Sequence, residues 1–288
     1  MSTVNKINCP YCESNAFVYK IADTERFLCH SCQRDQLYER VQEYDYFNND
    51  KLHNLSISDN GIDIKENVNY NSILQYCKKL SELPSSHTSV QYVRNRGIDS
   101  SMDMDLFYTE DLREIANKAG HSLNRNDKEP RLIIPIRDKE GKLYGLQGRS
   151  LIKESEYRYI TLYFNNKERL YGLNKVDVSK PFYACEGPID SFFIKNCVAL
   201  CGSNTLEDKY STFATVILDN EPRNVQIVDK MLKYVDRGFK IVVWPDNVKE
   251  KDINEMVLSN LDVNRIIQES IYSKLQAKIK INNWKKVG

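Results

Sequence analysis

Two short apolar runs, each followed by acidic residues, organise the second half of the chain. The run Phe182–Cys185 predicts a buried strand that ends at Glu186, and a helix that opens at Pro188 follows it. The run 214–218 predicts a second buried strand, which leads into the acidic stretch 219–221. Because the carboxyl ends of parallel strands meet at one edge of a sheet, these acids are expected to lie together.

The same pattern continues towards the end of the chain. Apolar runs at 197–200 and 239–244 predict two more strands, and helices are predicted from 222 to 236 and from 251 onwards. Strands that alternate with helices form a sheet covered by helices. We therefore predict a compact Rossmann-like α/β domain at 181–262.

The segment 86–180 predicts a mixed α+β unit that precedes this domain. Helices are expected at 89–96 and 111–119, a β-hairpin over 130–151, and a further strand at 158–162. Two glycines in the returning strand of the hairpin indicate that another group approaches its backbone closely.

Two flanking segments have less specific patterns. The polar stretch 41–85 is interpreted as a linker with short structured pieces. The stretch 263–288 is interpreted as a basic helical tail, with apolar residues at 271, 275, 279 and 284. Such a helix fits either a contact with DNA or a partner, or packing on its own domain, and the sequence leaves both open.

Four cysteines near the start of the chain have the spacing of metal ligands. Cys9 and Cys12 form one Cys-x-x-Cys pair, and Cys29 and Cys32 form another after sixteen intervening residues. Two such pairs are typical of a tetrahedral zinc site in a small ribbon. A module of about forty residues buries little core, so the metal would contribute to its folding. We predict a structural Zn²⁺ in a ribbon at 1–40, with a hairpin between the cysteine pairs whose strands are at 16–19 and 26–29.

Composition narrows the class of protein. Of 288 residues, 41% are hydrophobic and 28% are charged, with a net charge of +1, so any attraction to nucleic acid must be local. The segment 131–180 has eleven Lys or Arg and six Asp or Glu, a basic stretch that suits a phosphate-rich ligand. No apolar run approaches the roughly 20 residues that cross a bilayer, and no signal-peptide core is present, so a cytoplasmic protein without a membrane partner is expected.

The acidic residues at the two strand ends predict a metal centre. Clustered carboxylates repel one another, and oxygen ligands favour Mg²⁺ or Mn²⁺. Metals held in this way are typical of phosphoryl-transfer sites. The alternative is that the acids are ordinary helix caps, because acids also favour helix N-termini.

Taken together, these motifs resemble the Toprim-type DNA primases of bacteria and of T-even-type bacteriophages. The resemblance rests on the stretches 186–191, 218–223 and 251–254, on the basic stretches 130–136, 147–149, 158–161 and 170–172, and on the two cysteine pairs. It implies a Toprim metal-binding domain and Mg²⁺-dependent synthesis of short RNA primers on single-stranded DNA. Ribonucleoside triphosphates would be the substrates, and a separate replicative helicase and a single-strand-binding protein would be partners. A phage-encoded chain would work in the host cytoplasm.

The resemblance also implies roles for individual residues. It assigns Mg²⁺ ligation to Glu186, Asp219 and Glu221, proton transfer at the attacking 3′-hydroxyl to Glu186, and a catalytic role to Asp190. It assigns nucleotide or DNA contacts to Arg131, Gln147, Arg149, Arg158, Tyr159 and Lys251. The zinc ribbon would help to recognise the template. The chain departs from the family in two respects. Many Toprim proteins have a second aspartate where this one has Glu221, and the sixteen-residue span between the cysteine pairs is shorter than in the phage relatives.

Two other functions fit parts of the pattern. A Toprim nuclease would keep the acids without needing nucleotide-binding arginines or a zinc ribbon. A non-catalytic, DNA-binding Toprim recombination mediator would bind DNA without metal-dependent synthesis. The sequence has no Gly-x-x-x-x-Gly-Lys-Ser/Thr motif, which indicates that a helicase motor would come from another chain.

Overall fold

The computed structural model describes residues 5–8, 15–21, 24–29, 34–37, 70–119, 123, 128–155, 157–164, 169–201 and 205–287. The chain divides into two compact units, 1–68 and 69–288. The domain boundaries predicted at 85, 180 and 262 all fall inside the second unit.

The first unit contains a four-stranded antiparallel sheet in the order β1-β2-β3-β4. Its strands are β1 (Asn5–Asn8), β2 (Asn15–Ile21), β3 (Thr24–Cys29) and β4 (Arg34–Leu37). The pairing of β2 with β3, with Val18 opposite Phe27, confirms the hairpin predicted between the cysteine pairs. Cys9, Cys12, Cys32 and the side chain of Cys29 lie outside the described residues, so the zinc site stays a prediction.

The second unit begins with a five-stranded antiparallel sheet in which each strand pairs with the next. Its strands are β5 (Lys78–Lys79), β6 (Phe107–Thr109), β7 (Arg131–Arg137), β8 (Leu143–Ser150) and β9 (Tyr159–Tyr163). Two helices, α1 (Thr88–Asn95) and α2 (Leu112–Lys118), and short 3₁₀ helices at Tyr70–Tyr76 and Leu80–Glu82 accompany it. The predicted hairpin is β7–β8.

Gly145 in β8 shows why the returning strand of the hairpin contains glycine. A Cβ atom there would lie 2.8 Å from the carbonyl oxygen of Leu162 and 2.9 Å from the ring of Tyr163. The close approach predicted from the glycines is therefore that of the neighbouring strand β9.

A second five-stranded sheet follows, in the order β11-β10-β12-β13-β14. Its strands are β10 (Phe182–Cys185), β11 (Cys197–Ala199), β12 (Ala214–Val216), β13 (Lys240–Val242) and β14 (Ile271–Tyr272). The pairs within β10 to β13 are parallel, and β14 is antiparallel to β13. The helices are α3 (Pro188–Ser191), α4 (Val225–Asp236), α5 (Ile253–Leu258), α6 (Val263–Glu269) and α7 (Lys274–Trp284).

The C-terminal helix α7 packs on the unit that contains it. Ala277, Ile281 and Trp284 are buried, at the spacing of one helical face. Of the apolar residues predicted for this helix, Trp284 is buried, but Leu275 and Ile279 are 70% and 53% exposed. The residues just before it form the helix α6 and the edge strand β14.

Within the described residues, none of the helices has the length and apolar character needed to span a membrane. Four cysteines of the second unit are free thiols: Cys77, Cys185, Cys197 and Cys201.

Candidate active site

The parallel pairing of β10 with β12 brings the two predicted acids together. Ala184 lies opposite Val216, so both strands reach the same edge of the sheet, where Glu186 and Asp219 follow them. The backbone N–H of Asp219 donates a hydrogen bond to Oε2 of Glu186 at 3.1 Å. The expectation that parallel strands bring these acids together is therefore confirmed.

Four carboxylates line one narrow crevice at this edge: those of Glu186, Asp190, Asp219 and Asp252. Asp190 folds back over Gly187, where a Cβ atom would come within 2.8 Å of its Oδ2. Its Oδ1 accepts a hydrogen bond of 3.0 Å from the backbone N–H of Asn254, at the start of α5. Glycine at position 187 thus allows the turn to bring a second acid to the end of β10.

Burial and mutual repulsion perturb two of these acids strongly. Burial raises the pKa of Asp219 to about 8, with further increases from the charges of Glu186, Asp190 and Asp252. Burial likewise raises the pKa of Asp190 to about 7, and Asp252 adds to the increase. The site is therefore short of positive charge, as expected of a pocket built for a cation.

The helix-cap explanation does not account for Glu186 and Asp219. The N-cap of α3 is Gly187, without a side-chain hydrogen bond, and the N-cap of α4 is Asn224, whose Oδ1 accepts from the N–H of Gln226. Asp252 is a genuine N-cap of α5, because its Oδ1 accepts from the N–H of Glu255 at 2.7 Å. Asp252 also lines the crevice.

Glu221, the third predicted metal ligand, lies beside the crevice rather than among its lining residues. Its Oε1 lies 2.8 Å from Nζ of Lys251, and its Oε2 accepts from the Asn224 side chain at 2.9 Å. Burial opposes ionisation, but these hydrogen bonds outweigh it and leave the pKa of Glu221 below its ordinary value. Lys251, also predicted as a nucleotide contact, is therefore paired with an acid of the site.

Asn220 holds the loop that carries Asp219 and Glu221. Its side-chain amide donates to the carbonyl oxygens of Val248 at 3.1 Å and Glu250 at 3.0 Å. Its Oδ1 accepts from the indole N–H of Trp284 at 3.2 Å. The C-terminal helix thus helps to position the acidic loop.

The carboxylate oxygens of the crevice are the kind of ligand that suits a hard divalent cation, although they do not converge on one point in this arrangement. Among the described residues, no three acidic, histidine or cysteine side chains form a group ready to hold a metal ion. Nζ of Lys230 lies 2.8 Å from Oε1 of Glu186. Buried, uncompensated carboxylates beside Glu186 are nevertheless the ligands that Mg²⁺ prefers.

A second cluster lies on the antiparallel sheet of the same unit. The guanidinium of Arg149 lies 5.2 Å from the ring of Tyr92 and 4.7 Å from the ring of Tyr159. Gln147, two residues earlier on β8, donates to Oγ1 of Thr161 at 3.0 Å. Within the described part of the chain, Oε1 of Gln147 and Nε of Arg149 are buried without a hydrogen-bond partner. The Arg149 guanidinium belongs to a residue only 8% exposed, so the ring of Tyr159, 43% exposed and held by that cation, is the part of the cluster on which a nucleic-acid base could stack.

A clasp between α1 and α5 connects this cluster to the acidic crevice. Nη1 of Arg96 donates to Oδ1 of Asn254 at 2.8 Å, and the Asn254 amide donates back to the Arg96 carbonyl at 2.6 Å. Arg96 also lies over the ring of Tyr92, at 5.5 Å. Arg96, Asn254, Tyr92 and Lys230 were not identified from the sequence, because their contacts join segments far apart in the chain.

The other predicted nucleic-acid contacts differ in accessibility. Arg158 is exposed and Tyr159 is 43% exposed, so both are available to a ligand. Arg131 is 1% exposed, and its guanidinium is bound by the carboxylate of Glu129 and the carbonyl of Gly148. We therefore leave Arg131 out of the proposed interface and regard it as part of the core.

The raised pKa values predict how the stability of the metal-free protein depends on pH. Asp219 and Asp190 ionise near pH 4 in the unfolded chain but only near pH 8 and 7 in the folded one. Between these limits the folded state holds more protons, so its stability falls as the pH rises, by about 1 kcal/mol per pH unit for each group. The dependence should level off above pH 8 and disappear below pH 4.

Chemical denaturation in EDTA at several pH values between 5.5 and 8.5 measures this slope. Asp190→Asn and Asp219→Asn should each make it shallower. An identical slope in the wild type and both variants would contradict the assignment of the raised pKa values to these groups.

Comparison with solved structures defines the class of fold. The Aquifex aeolicus primase, in a structure of its zinc-binding and RNA polymerase domains, matches 93% of this chain and 80% of its own with a TM-score of 0.51 and 16% identity. The RNA polymerase domain of the Mycobacterium tuberculosis primase DnaG matches 69% of this chain and 81% of its own with a TM-score of 0.54 and 16% identity. The chain thus has the fold of bacterial primase catalytic cores.

Sequence comparison gives a more specific relationship. The DNA primase of Enterobacteria phage T4 is 31% identical over 224 residues, which cover 74% of this chain and 65% of that protein. No family model matches the chain. The chain spans 65% of that protein's length and is similar to it in sequence, which confirms the resemblance indicated by the sequence motifs.

Proposed function

We propose that this chain is a DNA primase that synthesises short RNA primers on single-stranded DNA from ribonucleoside triphosphates. The observation that supports the proposal best is the crevice in which Glu186, Asp190 and Asp219 meet, two of them with strongly raised pKa values. Its position at the carboxyl edge of a parallel sheet is where α/β folds bind ligands. The relationship to a phage DNA primase supports the same function.

Each residue of the site has a separate role in the proposed reaction. In the proposed Toprim-like centre, Glu186 and Asp219 would hold Mg²⁺ or Mn²⁺, with Asp190 inside the crevice and Glu221 beside it. The metal would polarise the α-phosphate of a nucleotide and stabilise the pyrophosphate leaving group. Glu186 would accept the proton of the attacking 3′-hydroxyl. Lys251, whose side chain is 53% exposed beside Glu221, would contact nucleotide phosphates.

The stacked Arg149 cluster is the proposed surface for the template. Tyr159 and Arg158 present an aromatic face and a positive charge at the start of β9, which suits a flexible single strand of DNA. Gln147 and Arg149 would help to position the DNA through their contacts with Thr161 and Tyr159 of β9. The clasp through Arg96 and Asn254 fixes this surface relative to Asp190.

The remaining parts of the proposal lie outside these two clusters. The cysteines Cys9, Cys12, Cys29 and Cys32 would bind a structural Zn²⁺ and help to recognise the template. A replicative helicase and a single-strand-binding protein would act as separate partners in lagging-strand replication.

The test is RNA synthesis from labelled ribonucleoside triphosphates on mixed-sequence single-stranded DNA with Mg²⁺. Wild type and the control Glu207→Gln, which changes an exposed acid away from the crevice, should make short RNA. Glu186→Gln should make none. Template cleavage without RNA, with or without added helicase, would instead indicate a nuclease, and DNA binding with neither reaction would indicate a mediator.

A further inference from the structure

Lys230 is the charged partner of the principal acid of the site. It lies on α4, whose buried face is formed by Val228, Met231, Tyr234 and Val235. From the flank of that helix its ammonium reaches Oε1 of Glu186 at 2.8 Å, and both side chains are only 21% exposed. The pair is therefore a partly desolvated contact rather than a surface ion pair, and its electrostatic attraction is stronger than that of an exposed pair.

Both oxygens of Glu186 are engaged in this arrangement. Oε1 binds Lys230, and Oε2 accepts the backbone N–H of Asp219 at 3.1 Å. A divalent cation that takes Oε1 of Glu186 must displace the ammonium first. Lys251 has the corresponding position at Glu221, but it is 53% exposed and therefore a weaker competitor.

We propose that Lys230 is a resident counter-ion that occupies Glu186 in the metal-free protein and sets the affinity of the site for divalent cations. The proposal rests on Glu186 being a metal ligand, as in the proposed function. Without metal, the ammonium compensates a half-buried carboxylate that would otherwise destabilise the fold. When metal enters, the flexible stem of the lysine swings away and releases Glu186 for ligation. Metal binding is thus an exchange reaction, in which the cation replaces the Lys230 ammonium at Glu186.

Binding of Mn²⁺ to the full chain, measured by electron paramagnetic resonance of the free ion at constant pH and ionic strength, tests this exchange. Lys230→Met should bind Mn²⁺ about tenfold more tightly than wild type, because no ammonium has to be displaced. Lys230→Arg should bind no more tightly than wild type. Lys233→Met, an exposed lysine one turn further along the same helix, should match wild type within about twofold.

Thermal unfolding gives a second readout that does not depend on activity. In EDTA, Lys230→Met should melt below wild type, because Glu186 loses its counter-ion, and Mg²⁺ should raise its melting temperature by more than it raises that of wild type. If Lys230→Met fails to fold, Lys230→Gln replaces it in both experiments.

The outcomes separate this proposal from the proposed function. Unchanged or weaker Mn²⁺ binding by folded Lys230→Met, or by Lys230→Gln where it replaces that variant, with normal binding by wild type, overturns the role of Lys230 alone. Absence of Mn²⁺ binding by wild type overturns the proposed metal site and this proposal with it. RNA synthesis by wild type tests primase activity independently of either result.

Discussion

Asp219→Asn is expected to reduce RNA synthesis by at least about 100-fold while leaving the fold intact. Removing a carboxylate ligand of a catalytic metal sacrifices several kcal/mol of transition-state stabilisation, and each 1.36 kcal/mol corresponds to a tenfold change in rate. The fold should survive because burial raises the pKa of Asp219 to about 8, so the protonated form already dominates near neutral pH. An amide has nearly the same shape as that neutral acid.

The measurement compares initial rates of RNA synthesis with melting temperatures in EDTA at pH 8. Asp229→Asn is the matched control, since it makes the same chemical change at an exposed position of α4. Loss of activity in Asp219→Asn alone, with an equal or higher melting temperature, is the expected result. Retention of more than about a tenth of the wild-type rate would contradict the assignment of Asp219 to the metal site.

The features that sequence predicted best are those in which a local pattern determines the structure. The apolar run Phe182–Cys185 is a strand with the predicted bounds, and the helix that begins at Thr88 ends close to Gly97, whose φ of 76° suits glycine. The hairpin β7–β8 turns within 138–141, as its Asp and Gly residues predict. Boundaries shifted where a turn intervened: the helix predicted from Pro222 begins at Val225, after the cap Asn224.

Of the candidate site, the sequence predicted only the residues that lie at or just after the ends of strands. The acids at the ends of β10 and β12 had to meet once the strands were parallel neighbours, and Asp190 follows Glu186 closely enough to share their crevice. Lys230 is 44 residues from Glu186, and Arg96 is 158 residues from Asn254. No local pattern encodes such contacts, because they depend on which helix packs over which strand end.

The edge strand β14 and the buried face of α7 show another limit. Ile271 and Tyr272 form a two-residue strand against β13, too short to give an alternating pattern. Leu275 and Ile279 have helical spacing, but the core takes Ala277, Ile281 and Trp284 instead. With similar apolar content on both faces, periodicity alone cannot choose between them.

Arg131 illustrates how a basic motif combines core and interface residues. Arg131 and Arg149 lie in the same basic stretch, on the paired strands β7 and β8, yet the first is an ion pair in the core and the second is stacked between aromatic rings. The charge pattern that suggested a phosphate contact is the same in both cases. The difference in the sequence is Glu129, which lies two residues before Arg131. Its carboxylate pairs with the Arg131 guanidinium in the core.

Glu129→Ala is accordingly expected to lower the free energy of unfolding by about 3–5 kcal/mol, the cost of removing one partner from a buried ion pair. The change takes the carboxylate from a guanidinium that is 1% exposed, and it also removes the acceptor for the Ser150 hydroxyl at 2.7 Å. Urea denaturation monitored by circular dichroism measures the effect. Glu110→Ala is the matched control, because Glu110 pairs with Lys78 at 3.6 Å with side chains 72% and 63% exposed.

The control should change the free energy of unfolding by less than about 1 kcal/mol, since exposed ion pairs contribute little. The double variant Glu129→Leu with Arg131→Met should recover most of the loss, because well-packed apolar residues often replace a buried ion pair at little cost. If that double variant folds and still makes RNA, Arg131 acts through the core and not through a phosphate. If it folds with wild-type stability but loses template binding, Arg131 contacts DNA after all and the buried pair must open in the complex.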